Sequence, residues 1–159
     1  MSDIQKLDEQ YIAHTYKRFP IELVSGNGAI LTDSDGRDYI DMGSGIGVSA
    51  FGHGDELWQK AVLDQISRLA HASNLYYTSP CALLAQLLNE KTGGFARKVF
   101  FANSGAEANE CAIKAARKYA YLKDGTTDHE IIAMNHSFHG RSIGALSVTG
   151  NPHYQEAFK

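Results

Sequence analysis

Residues 98–125 read KVFFANSGAEANECAIKAARKYAYLKDG, and the fold turns on how this stretch is understood. Lys98 to Ala102 is a short continuous apolar run, the composition of a strand buried on both faces. Asn103-Ser104-Gly105 then leaves room only for a tight loop. The residues from Ala106 to Gly125 are mostly strong helix formers, with glycine placed as a stop. A strand that passes through a tight loop straight into a helix is the unit of an α/β domain with a largely parallel sheet. The first turn of such a helix carries N–H groups without helical partners and the positive end of the dipole. Gly105 and Ala106 are small enough to let an anion reach those groups, and Ser104 adds a hydroxyl. The same letters also spell a capping box, with Ser104 as cap and Glu107 at the third helical position. The two readings are compatible when Glu107 points away from the anion. The stretch is not a Walker loop, because GxxxxGK[ST] is absent.

Downstream, Glu130 to Met134 (EIIAM) predicts a second strand and Ala145 to Thr149 (ALSVT) a third. Between them lies HSFHGR, residues 136–141, at a strand end, where open α/β sheets place ligands. Phe138 offers a flat face for stacking on a ring, and Arg141 a planar fork suited to a carboxylate. The alternative is a structural loop with a core phenylalanine and an exposed arginine. His136 and His139 lack a third ligand, so no metal is expected. Upstream, Gly43 to Gly54 is dense in glycine, but the spacing of Gly43, Gly45 and Gly47 is wrong for a dinucleotide fingerprint. It predicts a flexible or tightly turned loop at the edge of a site. Ser104 lies outside any GxSxG elbow, so a nucleophilic serine is unsupported.

The remaining elements are ordinary. Residues 3–18 predict a helix, residues 21–25 an extended segment, and residues 29–42 a hairpin turning at Asp33-Ser34-Asp35-Gly36. Asp55 caps a helix over residues 56–72, and Pro80 opens another that stops at Gly93-Gly94. The 159 residues are 43% hydrophobic and 21% charged, with a formal net charge of −3. That balance gives no electrostatic reason to expect nucleic acid or an anionic membrane. No run approaches the ~20 apolar residues of a membrane span. The polar N-terminus lacks a signal core, so a cytoplasmic protein is expected. Cys81 and Cys111 read as small core residues rather than a disulfide. A parallel sheet of two or three strands is too small to cover its own faces, so the chain reads as incomplete.

Taken in order, LTDSDGRDYIDM, GIGVSAFGH, SNLYYTSP, FFANSGAEANECAIKAARKYA and NHSFHGRS resemble the class III aminotransferases from about Tyr16 onward. The resemblance implies pyridoxal 5'-phosphate as cofactor and the N-terminal part of a fold type I (aspartate-aminotransferase-type) α/β enzyme, its mostly parallel sheet incomplete here. Residues 1–53 would form the arm and hairpin of the small domain, and residues 54–159 the start of the large cofactor-binding domain. Ser104, Gly105 and Ala106 would hold the phosphate, Phe138 would stack on the pyridine ring and Arg141 would bind the substrate carboxylate. Ile46 and Gly47 would border the substrate pocket. The reaction implied is transfer of an amino group from N-acetylornithine, or a similar ω-amino donor, to 2-oxoglutarate in arginine biosynthesis, by a homodimer. Ornithine, succinylornithine and 4-aminobutyrate are the alternative donors. A non-catalytic phosphate-binding module is the alternative of another class. The family's Schiff-base lysine lies downstream of its matching motifs, and Lys98, Lys114 and Lys118 do not sit in its motif. No catalytic residue is therefore expected in this chain, and alone it is expected to be inactive. Where the family usually continues its Gly-His pair with His-Pro, this chain reads GHGDEL, which predicts a small local difference at the helix start.

Overall fold

The computed structural model describes residues 2–158. They form two compact units, one ending at Leu75 and one beginning at Tyr76. In the first, helix α1 (Asp3–Tyr11) starts with a complete capping box: the Gln5 N–H donates to Ser2 Oγ, and the Ser2 N–H donates to Gln5 Oε1. It is shorter than the 3–18 expected. Ile12 is already extended, His14 Nε2 lies 3.0 Å from the Glu9 carbonyl oxygen, and Arg18 returns to Asp8 at 3.3 Å. The helix end is thus tied down by residues of the stretch expected to continue it.

Strands β1 (Leu23–Asn27), β2 (Ile30–Asp33) and β3 (Asp38–Ile40) make an antiparallel sheet in the order β1-β2-β3. The β2–β3 hairpin is organised by Asp33, which is buried. Its carboxylate accepts the Asp35 and Arg37 N–H groups at 2.9 Å each and the Tyr39 hydroxyl at 2.7 Å. Gly36 supplies the positive φ the turn needs, +79°. After β3 the chain passes through a one-turn element, α2 (Ser44–Gly47), to α3 (Glu56–Arg68). Asp55 caps α3 through the Trp58 N–H at 2.7 Å, so the GHGDEL departure still yields a well-formed helix start.

The second unit holds α4 (Ser79–Lys91), α5 (Gly105–Asp124), α6 (Ile143–Ser147) and α7 (Pro152–Gln155). α5 matches the sequence reading, with Ser104 as cap and Gly125 in the left-handed conformation closing it. Three expected strands are absent among the described residues. Residues 98–102 and 130–134 carry no strand ladder. A strand persists only against a partner that completes its hydrogen bonds, and neither run has one here. Phe100 is 64% and Ile132 94% exposed. The parallel sheet is therefore not formed within the described residues, whose only sheet is the antiparallel one.

Residues 145–149 form no strand either, since Ala145 to Ser147 belong to helix α6. The cause is tertiary. Glu110 of α5 accepts the Ala145 N–H at 2.9 Å and the Ser142 hydroxyl at 2.7 Å, supplying the cap that Ser142 does not give. The small core lies here, made by Ala145 and Leu146 with the fully buried Thr149. Cys81 is exposed and Cys111 half-buried, and both are free thiols, so Cys81 is not the core residue expected. It lies on an α4 that buries none of its residues. No helix of the described residues is long and apolar enough to cross a membrane.

Candidate active site

The head of α5 is built as a cradle. Ser104 is extended and its Oγ accepts the Glu107 N–H at 3.2 Å. The Ser104 hydroxyl proton is left to donate elsewhere. The Glu107 carboxylate turns back to accept the Asn103 N–H at 2.6 Å, one residue earlier than a standard capping box requires. A Cβ on Gly105 would meet nothing within 4 Å, so the approach to the first-turn N–H groups is open.

The 136–142 loop is pressed against that head. Gly140, at φ +129°, sits so close to α5 that a Cβ there would lie 2.6 Å from Ala106 Cβ. No other residue fits both the angle and the space. Asn109 Nδ2 donates to the His139 carbonyl at 2.6 Å. Thr149 Oγ1 accepts the His139 N–H at 3.0 Å and can donate to the Gly140 or the Ala145 carbonyl, each at 3.0 Å. His136, itself at φ +61°, donates its N–H to the Gly150 carbonyl at 2.9 Å. Phe138 is 58% exposed and stands edge-on to Tyr154, with ring centroids 5.7 Å apart.

The result is an open cleft of about 380 Å³. Ser104, Gly105 and Ala106 of the helix head line it together with Phe138 and Arg141 of the loop. Five of the seven residues singled out from the sequence thus come together. Phe138 is not the core residue of the alternative reading. Ile46 and Gly47 belong to the first unit, in α2. There Gly45 and Ile46 are left-handed, Ile46 at φ +63°, a strained conformation for a β-branched residue. The loop is pinned by paired hydrogen bonds between Gly28 and His53, both 2.8 Å, and by His53 Nε2 at 2.8 Å from Asp41 Oδ2. It is a tightly turned loop.

Carboxylates hold both arrangements. The Ser142 hydroxyl, followed by the Ala145 N–H, keeps the Glu110 carboxyl below the usual carboxylate range. The His53 ring, followed by the Ser44 N–H, does the same for Asp41. Sequence reasoning missed Asn109, Glu110 and Thr149. Asn109 and Glu110 stand three and four positions after Ala106, on the same face of α5 as its head, and that spacing was the available signal. Among the described residues no three His, Cys, Asp or Glu side chains form a group that could hold a metal.

A helix head and a loop carrying an aromatic and an arginine thus line one cleft. The chain belongs to the class III aminotransferase family, whose model, aminotransferase class-III, matches residues 11–159. The family uses pyridoxal phosphate. The acetylornithine aminotransferase of Haemophilus ducreyi is 48% identical over 155 residues, covering 98% of this chain and 39% of the relative. The crystal structure of N-acetylornithine aminotransferase from Stenotrophomonas maltophilia is 39% identical, with a TM-score of 0.75 over 85% of this chain and 35% of that one. An ornithine aminotransferase from Toxoplasma gondii, described with pyridoxal phosphate partly occupying its active site, is 28% identical with a TM-score of 0.85. The match covers 99% of this chain and 37% of that one. The chain therefore has the fold of fold type I transaminases, and it spans well under half the length of these relatives.

Proposed function

We propose that this chain is the cofactor-cradling N-terminal segment of an aminotransferase that moves the amino group of N-acetylornithine to 2-oxoglutarate. The observation that carries the reading is the convergence of the α5 head with Phe138 and Arg141 on one cleft. The residues fit pyridoxal phosphate. Gly105 leaves the first-turn N–H groups open to a phosphate, the Ser104 hydroxyl can donate to it, and the exposed Phe138 ring offers its face to a heteroaromatic ring. When bound, the cofactor supplies the electron sink for chemistry at the amino-bearing carbon. In this scheme Ser104, Gly105 and Ala106 bind the phosphate, Phe138 orients the ring, and Arg141 binds the substrate carboxylate through its planar fork. Ile46 and Gly47 are assigned to the rim of the substrate pocket on likeness to the family. N-acetylornithine is favoured as donor by the names of the relatives.

The wider scheme follows the same likeness. Residues 1–53 belong to the small domain and residues 54–159 to the large one. The enzyme is a cytoplasmic homodimer serving arginine biosynthesis. The 159 residues alone are inactive, because Lys98 leads an unpaired apolar run while Lys114 and Lys118 lie on α5, outside the family's lysine motif.

Two measurements test the reading. In the full-length enzyme, Arg141→Ala should raise KM for N-acetylornithine roughly ten- to hundredfold, the loss of a charged hydrogen bond worth about 1.5–3 kcal/mol. An unchanged KM removes the role given to Arg141. The 159-residue chain, supplied with cofactor and both substrates, should form no glutamate; turnover would overturn its assignment as inactive.

A further inference from the structure

Two residues of α5 outside the proposed cofactor contacts hold the loop that makes them. Asn109 bonds the chain at His139, just before the Gly140-Arg141 pair. Glu110 bonds it just after, at Ser142 and Ala145. Both side chains are half-buried. A Cβ on Gly144 would strike the Glu110 carboxyl group, so the carboxylate lies flush against the backbone of α6. The hydrogen-bonding groups it meets there, the Ser142 hydroxyl and the Gly144 and Ala145 N–H groups, are all donors. An acceptor-only side chain suits that spot, whereas an amide would set an N–H against an N–H. α6 has five residues and no cap from its own Ser142, too few to persist unaided.

We infer that Glu110 is a positioning residue, which fixes the backbone beside Arg141 against α5 so that the guanidinium and the Phe138 ring face the cleft from a set direction. This rests on the roles proposed above for Arg141 and Phe138. Without Glu110 the 142–145 segment loses its acceptor and Arg141 moves with it. A displacement of about 1 Å at a substrate-positioning group can cost roughly a hundredfold in rate.

The test compares Glu110→Ala, Glu110→Gln and Arg141→Ala in the full-length holoenzyme. The readouts are KM and kcat for N-acetylornithine, the ellipticity of the bound cofactor, and amide exchange at residues 142–146 in cofactor-free enzyme. Glu110→Ala should raise KM roughly ten- to hundredfold with a smaller fall in kcat. It should also change the ellipticity and speed exchange at Ala145. Glu110→Gln should move each readout the same way but less, because the amide oxygen can still accept from Ser142 and Ala145. If the alanine variant does not fold, the glutamine variant decides on the same criteria. Faster exchange or lower thermal stability with unchanged KM and ellipticity would mean a merely structural role and overturn the inference. Unchanged KM in Arg141→Ala would instead remove the substrate assignment. An ellipticity change in the Glu110 variants would then still support Glu110 as the anchor of the Phe138 loop.

Discussion

Thr149 shows what one hydroxyl does behind the 136–142 loop. It is fully buried, and it serves the loop by accepting from His139 while donating to Gly140 or Ala145. Thr149→Val keeps the shape and removes all of this, leaving the His139 N–H without its acceptor. We expect a loss of about 1–3 kcal/mol, read as a lower urea midpoint, with Thr149→Ser nearer the parent. A valine variant as stable as the parent would show that the hydroxyl is dispensable. The residues at the cleft were legible because each announces its chemistry by type: glycine and serine at a helix start, an aromatic and an arginine after an apolar run. Thr149 was not legible. In ALSVT it looks like one more β-branched residue of a strand, and its partners are set by a fold-back that no local pattern encodes.

Elements divide along the same line. The hairpin and α5 were readable because their determinants lie within a few residues: Asp33 with Gly36, Ser104 with Glu107, and Gly125 at the end of the helix. α6 was misread because its cap comes from Glu110, more than thirty residues earlier. The two unpaired apolar runs were misread because a strand depends on its neighbour. The carboxylates that organise these elements make stability depend on pH. Asp33, held down by the Arg37 N–H and the Tyr39 hydroxyl, joins Asp41 and Glu110 below the ordinary carboxylate value. A depressed folded pKa means that the unfolded chain takes up the proton first. The stabilisation is therefore full above the ordinary value of about 4 and is lost as pH falls through the folded values. Urea midpoints should be level from neutral pH down to about 5 and drop below about 4. A midpoint that rises on acidification would contradict this assignment.

At the scale of the whole molecule, apolar surface is the dominant fact. The chain exposes 13767 Å², where a folded protein of 17.4 kDa exposes about 7,900 Å². Tyr77, Leu57, Met42 and Phe95 are among the large apolar side chains left in solvent. Surfaces of this kind associate, so the isolated chain should bind a hydrophobic dye and sediment as aggregates at micromolar concentration. A dye-silent monomer would refute that expectation. Family membership and fold were readable at this scale, since the motifs run in order along the sequence. What covers the apolar faces was not, because covering is a property of neighbours. The same uncovered surface has a calorimetric consequence. The heat capacity of unfolding follows the area newly hydrated, and this chain has about two-thirds as much left to hydrate as a fully buried protein of its mass. Diluted below the concentration at which it associates, the chain should show a heat-capacity increment smaller in that proportion, which flattens the stability curve; a monomer giving the full ~2 kcal/mol/K usual for this length would show that its apolar faces fold inward in solution.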